Sequence, residues 1–184
     1  MSLRVISGRF RSRRLKSVPG LAVRPTPDRL REALFNVLAP TLEGSTFLDA
    51  YAGSGAVGIE ALSRGAKRVV LIERNARAIG IIRENLRSLG IETEATLVRG
   101  SAATVLRSYR FDIAFIDPPY EQAQEYSKSL LALSTAGCRV VIAQHASRTA
   151  LENVYGTMKK TRVIKQGDNS LSFYQQAVDS STAE

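Results

Sequence analysis

From residue 46 onward the sequence alternates between strand-like and helix-like stretches, and this alternation restricts the fold more than any other feature. Residues 46–51, 68–73, 94–98, the run ending at Asp117, and 139–143 are short and rich in β-branched, aromatic or other apolar side chains. Between them, 56–62, 75–89, 102–107 and 124–133 carry apolar residues at helical spacing, and Gly90 closes the second of these. Strands separated by helices imply a parallel sheet covered on both faces. The end of the chain breaks the pattern. Residues 158–165 and 171–176 are strand-like and joined by Gln166-Gly-Asp-Asn169, which reads as an antiparallel hairpin. The expected fold is therefore α/β and Rossmann-like, with a mostly parallel sheet and an antiparallel C-terminal hairpin.

Ahead of the alternation, residues 3–8 and 14–18 suggest a small β-hairpin bending near Gly8, followed by a helix. Thr26 suits that helix's N-cap, Pro27 its first position and Asp28 its dipole, while Pro40 is expected to stop it. The organisation that follows is a basic extension over 1–24, a main domain over 25–178 and a frayed tail over 179–184.

The strand ending at Asp117 stops abruptly in Asp117-Pro118-Pro119-Tyr120. Two prolines cannot donate to a sheet ladder, so the strand must end there. A carboxylate, a carbonyl in a fixed direction and an aromatic ring are left at its mouth, which suits a flat group bearing an NH2. Asp49-Ala-Tyr-Ala-Gly53-Ser-Gly55-Ala-Val-Gly58 lies between the first core strand and its helix and matches G-x-G-x-x-G. Glu73 ends the next strand, 20 residues after Gly53, where an acid can accept from a ribose. The glycines alone fit either a dinucleotide or S-adenosylmethionine. Asp49 favours the second, because a carboxylate there can face the cationic amino-acid part of a ligand, whereas dinucleotide sites aim a helix N-terminus at a pyrophosphate.

Charge placement points to the partner. The chain's net charge is +9, and residues 1–31 alone carry +8. Their nine basic side chains, all but Lys16 being arginine, are interleaved with Leu3, Val5, Ile6, Phe10, Leu15 and Val18. Arginine binds phosphate bidentately and stacks on bases, so nucleic acid is the expected partner. The single cysteine, Cys138, sits in a strand pattern and reads as an inert buried thiol, and no disulfide framework is available. One histidine and scattered acids offer no metal cluster, and no apolar run reaches the ~20 residues of a membrane span. No apolar stretch follows the basic start as a secretory leader requires. A monomeric, cytoplasmic, metal-free chain is expected.

Taken together, the Asp49–Gly55 loop, Glu73 and Asp117-Pro-Pro-Tyr120 resemble a class I S-adenosylmethionine-dependent methyltransferase acting on exocyclic amines. Arg24-Pro-Thr-Pro-Asp-Arg-Leu-Arg-Glu-Ala-Leu-Phe35, Gly58-Ile-Glu-Ala-Leu-Ser-Arg-Gly65 and Gly8-Arg-Phe-Arg-Ser-Arg-Arg-Leu15 narrow the resemblance to the bacterial RsmD-type family, over roughly residues 3–176. That family methylates N2 of a guanine in small-subunit (16S) ribosomal RNA, within a 30S particle or its assembly intermediate. The resemblance implies that Asp49, Ala52, Gly53, Ser54 and Gly55 hold the methionine part of the cofactor, and Glu73 with Arg74 the ribose. Ser101 and Ala102 would line the adenine, with Ser101 standing where many methyltransferases keep an acid. Thr26 and Arg24 would edge the pocket, and Asp117, Pro118, Pro119 and Tyr120 would hold the base. Arg4, Arg9, Arg11, Arg13, Arg14 and Arg24 would hold RNA, and His145 either lines the site or packs. The rival readings are a DNA adenine or cytosine amino-methyltransferase, an NAD(P)-dependent oxidoreductase, and a non-catalytic RNA-binding module.

Overall fold

The structure, a computed structural model, describes residues 3–18, 26–102, 110–119 and 122–177. Tyr120, Arg24, most of the helix expected at 102–107 and the expected tail at 179–184 lie outside the described residues. In chain order the elements are α1 (Asp28–Leu42), β1 (Thr46–Asp49), α2 (Ala56–Ser63), β2 (Arg68–Glu73), α3 (Ala76–Leu89), β3 (Ala95–Arg99), β4 (Ile113–Ile116), α4 (Ala123–Thr135), β5 (Val140–Ala146), β6 (Val154–Tyr155), β7 (Met158–Gln166) and β8 (Asn169–Gln176). They build one eight-stranded sheet in the order β3-β2-β1-β4-β5-β8-β7-β6. The first five strands are parallel, and β8 runs antiparallel between β5 and β7. The mostly parallel sheet with an antiparallel C-terminal hairpin is therefore as expected.

Strand burial follows from the layering. β4 is buried along its whole length, since apolar layers cover both of its faces. One layer joins α1, α2, α3 and the amino-terminal segment through Leu34, Phe35, Ile59, Ile82 and Val5, and packs on Phe47, Phe115 and Ile142. The other joins Tyr126, Leu130 and Leu133 of α4 to Leu48, Ile116 and Val141. Chain order reverses direction across β1 and β4, so the sheet opens a crevice at their carboxyl ends, where open α/β sheets bind ligands.

Two expectations at α1 are corrected. Pro40 does not stop the helix, which runs on to Leu42. Pro40 is exposed, so water can satisfy the carbonyl its missing N–H leaves free, and burial of Leu42 draws the last turn inward. Thr26 is not the N-cap either. Pro27 holds that place without a side-chain cap, and Thr26 is buried one residue earlier. By contrast, Asn75 caps α3 by accepting from Arg77 and Ala78 N–H, and Gly90 ends it in the left-handed region at φ 67°.

The amino-terminal segment doubles back on itself through an isolated antiparallel bridge, Arg4 to Arg14, and docks on the domain. Leu3, Val5 and Leu15 enter the main core. Ile6 and Ser7 N–H donate to the buried Glu60 carboxylate at 2.8 and 3.0 Å, and Phe10 N–H donates to Ser63 Oγ at 3.0 Å. Gly8, at φ 82°, lies so close to α2 that an added Cβ would stand 1.8 Å from the Ser63 carbonyl oxygen. That contact is why α2 is buried on every side, Glu60 included.

Candidate active site

The carboxyl ends of β1 and β4 bring Asp49 and Asp117 to the same face of the sheet. Asp49 pairs in register with Phe115, and Asp117 follows two residues later. Asp49 is buried and accepts from Gly58 N–H at 3.1 Å, which ties the strand to the first turn of α2. Burial pushes its carboxyl up to about 7, against the pull of that hydrogen bond, and the charge of Glu73 adds to the rise. Asp117 is partly exposed at the mouth of β4. Burial pushes it up to about 8, and the neighbouring charge of Asp49 adds a smaller rise. Glu73 thus raises the proton affinity of Asp49, and Asp49 that of Asp117, with no cation paired to either acid among the described residues. Such a pocket is complementary to a positively charged ligand.

The loop between β1 and α2 is held by its own backbone and by Glu73. Gly53 and Gly55 take φ values of 55° and 78°, the left-handed region open to glycine, and Gly55 N–H closes the turn on Ala52 O at 2.7 Å. Gly58 is required for a different reason. A Cβ there would meet Leu71 Cδ2 at 2.4 Å and Val69 Cγ1 at 2.9 Å, so glycine lets α2 lie close on β2. Glu73 Oε2 accepts from Gly53 N–H at 2.8 Å, and Oε1 accepts from Arg74 and Asn75 N–H at 2.8 Å each. Oε2 accepts this one hydrogen bond and so keeps capacity for a second, the acceptor a ribose hydroxyl needs. Gly100 N–H donates to Glu73 O, which brings exposed Ser101 and buried Ala102 to the same end of the sheet. Arg74 is exposed beyond β2. These residues fit S-adenosylmethionine through their chemistry: the Asp49 carboxylate for its ammonium, side-chain-free backbone at the turn, and an acid for its ribose.

After β4, Pro118 is buried and the Pro119 carbonyl accepts from Gln122 N–H at 2.8 Å. The Pro118 carbonyl accepts no hydrogen bond among the described residues. The sequence reasoning missed three polar residues. Gln144 of β5 is buried and donates from Nε2 to Asp117 Oδ2 at 3.0 Å. Buried Asn85 of α3 accepts from Lys16 N–H at 2.7 Å and donates to Lys16 O and Ser54 O, both at 3.0 Å, joining the basic segment to the glycine loop. Tyr51 O–H lies 2.9 Å from Ser129 Oγ and 3.3 Å from Glu125, which ties the loop to α4. Gln144 and Asn85 each interrupt an apolar pattern, which was their only signal in the sequence. His145 packs instead of lining the crevice: its Nε2 meets Ser172 Oγ at 2.8 Å and its Nδ1 meets Ala146 O at 2.9 Å. Cys138 is buried with its thiol pushed up to about 12, so it is inert.

The predicted RNA-binding arginines divide into engaged and free. Arg9 pairs with Glu94 and stacks over Phe10, Arg13 donates to Ser88 O at 2.9 Å, and Arg4 lies 3.8 Å from Asp28. Arg11 and Arg14 are exposed, and their side chains have no ion-pair partner among the described residues. Among the described residues, no helix is long and apolar enough to cross a membrane, and no group of three or more His, Cys, Asp or Glu could hold a metal ion.

A glycine turn over paired acids, beside a sheet whose antiparallel β8 flanks β5, defines the class I S-adenosylmethionine-dependent methyltransferases. More narrowly, the chain belongs to the family described as "Conserved hypothetical protein 95", whose model matches residues 3–175. "Putative rRNA methyltransferase YlbH" of Bacillus subtilis is 34% identical over 182 residues, covering 94% of this chain and 98% of the relative. "Ribosomal RNA small subunit methyltransferase D" of Haemophilus influenzae is 38% identical over 123 residues. That match covers 64% of this chain and 64% of the relative, so the chain aligns with a little under two thirds of its length. The solved structure of "Putative methyltransferase yhhF" from Escherichia coli superposes with a TM-score of 0.81 at 31% identity, covering 96% of this chain and 98% of that one.

Cofactor binding is expected to depend on pH. A carboxyl with a raised pKa in the folded protein holds its proton to higher pH, whereas a bound ammonium favours the ionised form. Binding below about pH 7 therefore releases a proton from Asp49 and tightens as pH rises. S-adenosylhomocysteine should bind about tenfold more tightly at pH 8 than at pH 6. Calorimetry in buffers of different ionisation enthalpy measures both, and a flat profile without proton release would rule out Asp49 as the cation site.

Proposed function

We propose that this protein methylates the N2 amine of a guanine in small-subunit ribosomal RNA. The observation that carries the reading is Asp117-Pro118-Pro119 at the end of β4, beside Asp49 and the glycine loop at the end of β1, in a chain whose relatives are named ribosomal RNA methyltransferases. S-adenosylmethionine, held by Asp49, Ala52–Gly55 and Glu73, supplies an electrophilic methyl group. Thr26, Arg74, Ser101 and Ala102 are assigned to the edges of that cofactor site.

The exocyclic amine of guanine is a poor nucleophile because its lone pair is delocalised into the ring. Asp117 and the Pro118 carbonyl accept from its two hydrogens, which favours a pyramidal nitrogen with the lone pair free. Pro119 fixes the direction of that carbonyl, and Tyr120 is assigned to stack on the base. Holding the amine in line contributes on the order of 7–11 kcal/mol in comparable intramolecular reactions. Asp117 also stabilises the positive charge that grows on nitrogen.

The base must leave its stack to reach such a crevice, so an unpaired or locally opened guanine is the target. Arg11 and Arg14 hold the flanking phosphates, with Arg4, Arg9, Arg13 and Arg24 rearranging to join them. The chain acts as a cytoplasmic monomer on a 30S particle or its assembly intermediate. Incubation with labelled cofactor and 30S particles, naked ribosomal RNA or DNA, followed by mass analysis of the nucleosides, tests the reading. N2-methylguanosine from ribosomal RNA is the expected product. Label only in N6-methyladenine or N4-methylcytosine of DNA would replace this reading with that of a DNA amino-methyltransferase.

A further inference from the structure

Gln144 has a use beyond packing. It follows Ala143, which pairs with Ile116, so sheet register sets Gln144 beside Asp117 at the carboxyl ends of β5 and β4. The side chain is 2% exposed, and Nε2 donates to Asp117 Oδ2 at 3.0 Å. Its backbone is anchored as well, because the Tyr126 hydroxyl donates to Gln144 O at 2.8 Å. Yet Gln144 Oε1 is buried with no hydrogen-bond partner among the described residues. A buried carbonyl left unpaired costs stability, so its retention beside a reactive carboxylate calls for an explanation.

An amide can serve a carboxyl group in either protonation state, since half a turn about its last bond exchanges donor for acceptor. We infer that Gln144 is a positioning residue that holds Asp117 through both halves of a proton-transfer cycle. This rests on Asp117 being the amine acceptor proposed above. While Asp117 is ionised, Nε2 donates to it and fixes the carboxylate toward the amine. When the alkylated nitrogen sheds its proton, an N–H bond breaks, an O–H bond forms on Asp117, and the electron pair stays on nitrogen. Oε1 then turns to accept from the new O–H, and the proton leaves to water. Among the charged groups on the elements packed around Asp117, Asp49 of β1 is the one that acts on its carboxyl, while His145 of β5 is engaged with Ser172. Gln144 is thus the neutral partner that lets Asp117 ionise beside a like charge.

The test uses the full chain without cofactor and follows the Asp117 carboxyl by carbon-13 NMR titration. Gln144→Met keeps the volume and removes both donor and acceptor. It should raise the Asp117 midpoint by about one unit, because a hydrogen bond to the charged form is lost. Gln144→Glu, which offers a second carboxylate, should raise it further and provides a second variant if the first does not fold. In steady-state assays the acidic limb of kcat should move by the same amount, with KM for cofactor little changed. An unmoved Asp117 midpoint in both variants would overturn the inference. Absence of methyl transfer by the wild-type chain would instead overturn the proposed reaction, and the titration would still decide what Gln144 does to Asp117.

Discussion

Replacing Asp117 by alanine is expected to lower the rate of methyl transfer about a thousandfold or more while leaving cofactor affinity intact. The two effects separate because Asp49 and Asp117 sit on adjacent strands with different neighbours. Asp49 is bound by Gly58 N–H of α2, whereas Asp117, partly exposed just past β4, is bound by Gln144 of β5. The charge of Asp49 holds the proton on Asp117 and not the reverse, so removing Asp117 takes no countercharge from the ammonium site and leaves Asp49 without a competing acid beside it. Near pH 7 the variant should therefore bind S-adenosylhomocysteine as well as the wild type or slightly better. Asp117→Asn controls for packing, since it keeps the shape but lacks the charge, and it should be nearly as slow. Single-turnover transfer to ribosomal RNA, set beside calorimetric binding of S-adenosylhomocysteine, makes the comparison. A fall in cofactor affinity that matches the fall in rate would mean that Asp117 belongs to the cofactor pocket and not to the amine.

The parts of the molecule legible in the sequence are those determined by neighbours close in the chain. β2 has the bounds its apolar run suggested, and α3 starts and stops at the residues that cap it, Asn75 and Gly90. The crevice was legible for a related reason: parallel strands joined by helices must place their carboxyl ends together, so the ends of β1 and β4 had to meet. What escaped notice is set by contacts between distant residues. Gln144 meets Asp117 across 27 positions, Ile6 meets Glu60 across 54, and Lys16 meets Asn85 across 69. A polar residue inside an apolar run shows that something is to be satisfied without showing by what. β6, two residues long, is defined only by its pairing with β7, and nothing in its own composition marks it. The basic segment was legible as charge but not as architecture, because arginines on a docked surface and on a free arm look the same in a sequence.

That docking leads to the other large expected effect. Glu60 is fully buried and accepts from Ile6 N–H, Ser7 N–H and, at 2.7 Å, Arg64 Nε. Nearby Arg31 is equally buried and donates to Arg4 O at 2.8 Å and to Asp28 at 2.9 Å. Burial lowers the pKa of Arg31, and the negative charge of Glu60 is the largest influence opposing that fall. Glu60→Ala would strand two amide donors and weaken the compensation of a buried guanidinium. Loss of one partner from such a buried arrangement costs about 3–5 kcal/mol. The melting temperature should fall by on the order of 10 °C for a chain of this size. Amide exchange at Ile6 and Ser7 should speed up more than exchange in β1 or β4, because the segment detaches before the sheet opens. RNA affinity should drop with it, even though no basic residue has changed. Arg11→Gln combined with Arg14→Gln should do the reverse, leaving the melting temperature in place while weakening RNA binding and flattening its salt dependence. If Glu60→Ala loses stability but binds RNA as before, the docked geometry is irrelevant to recognition and the arginines act as a mobile tail. If both variants weaken RNA binding, and only the first melts early, then Glu60 sets the posture of the segment and the free arginines supply its grip.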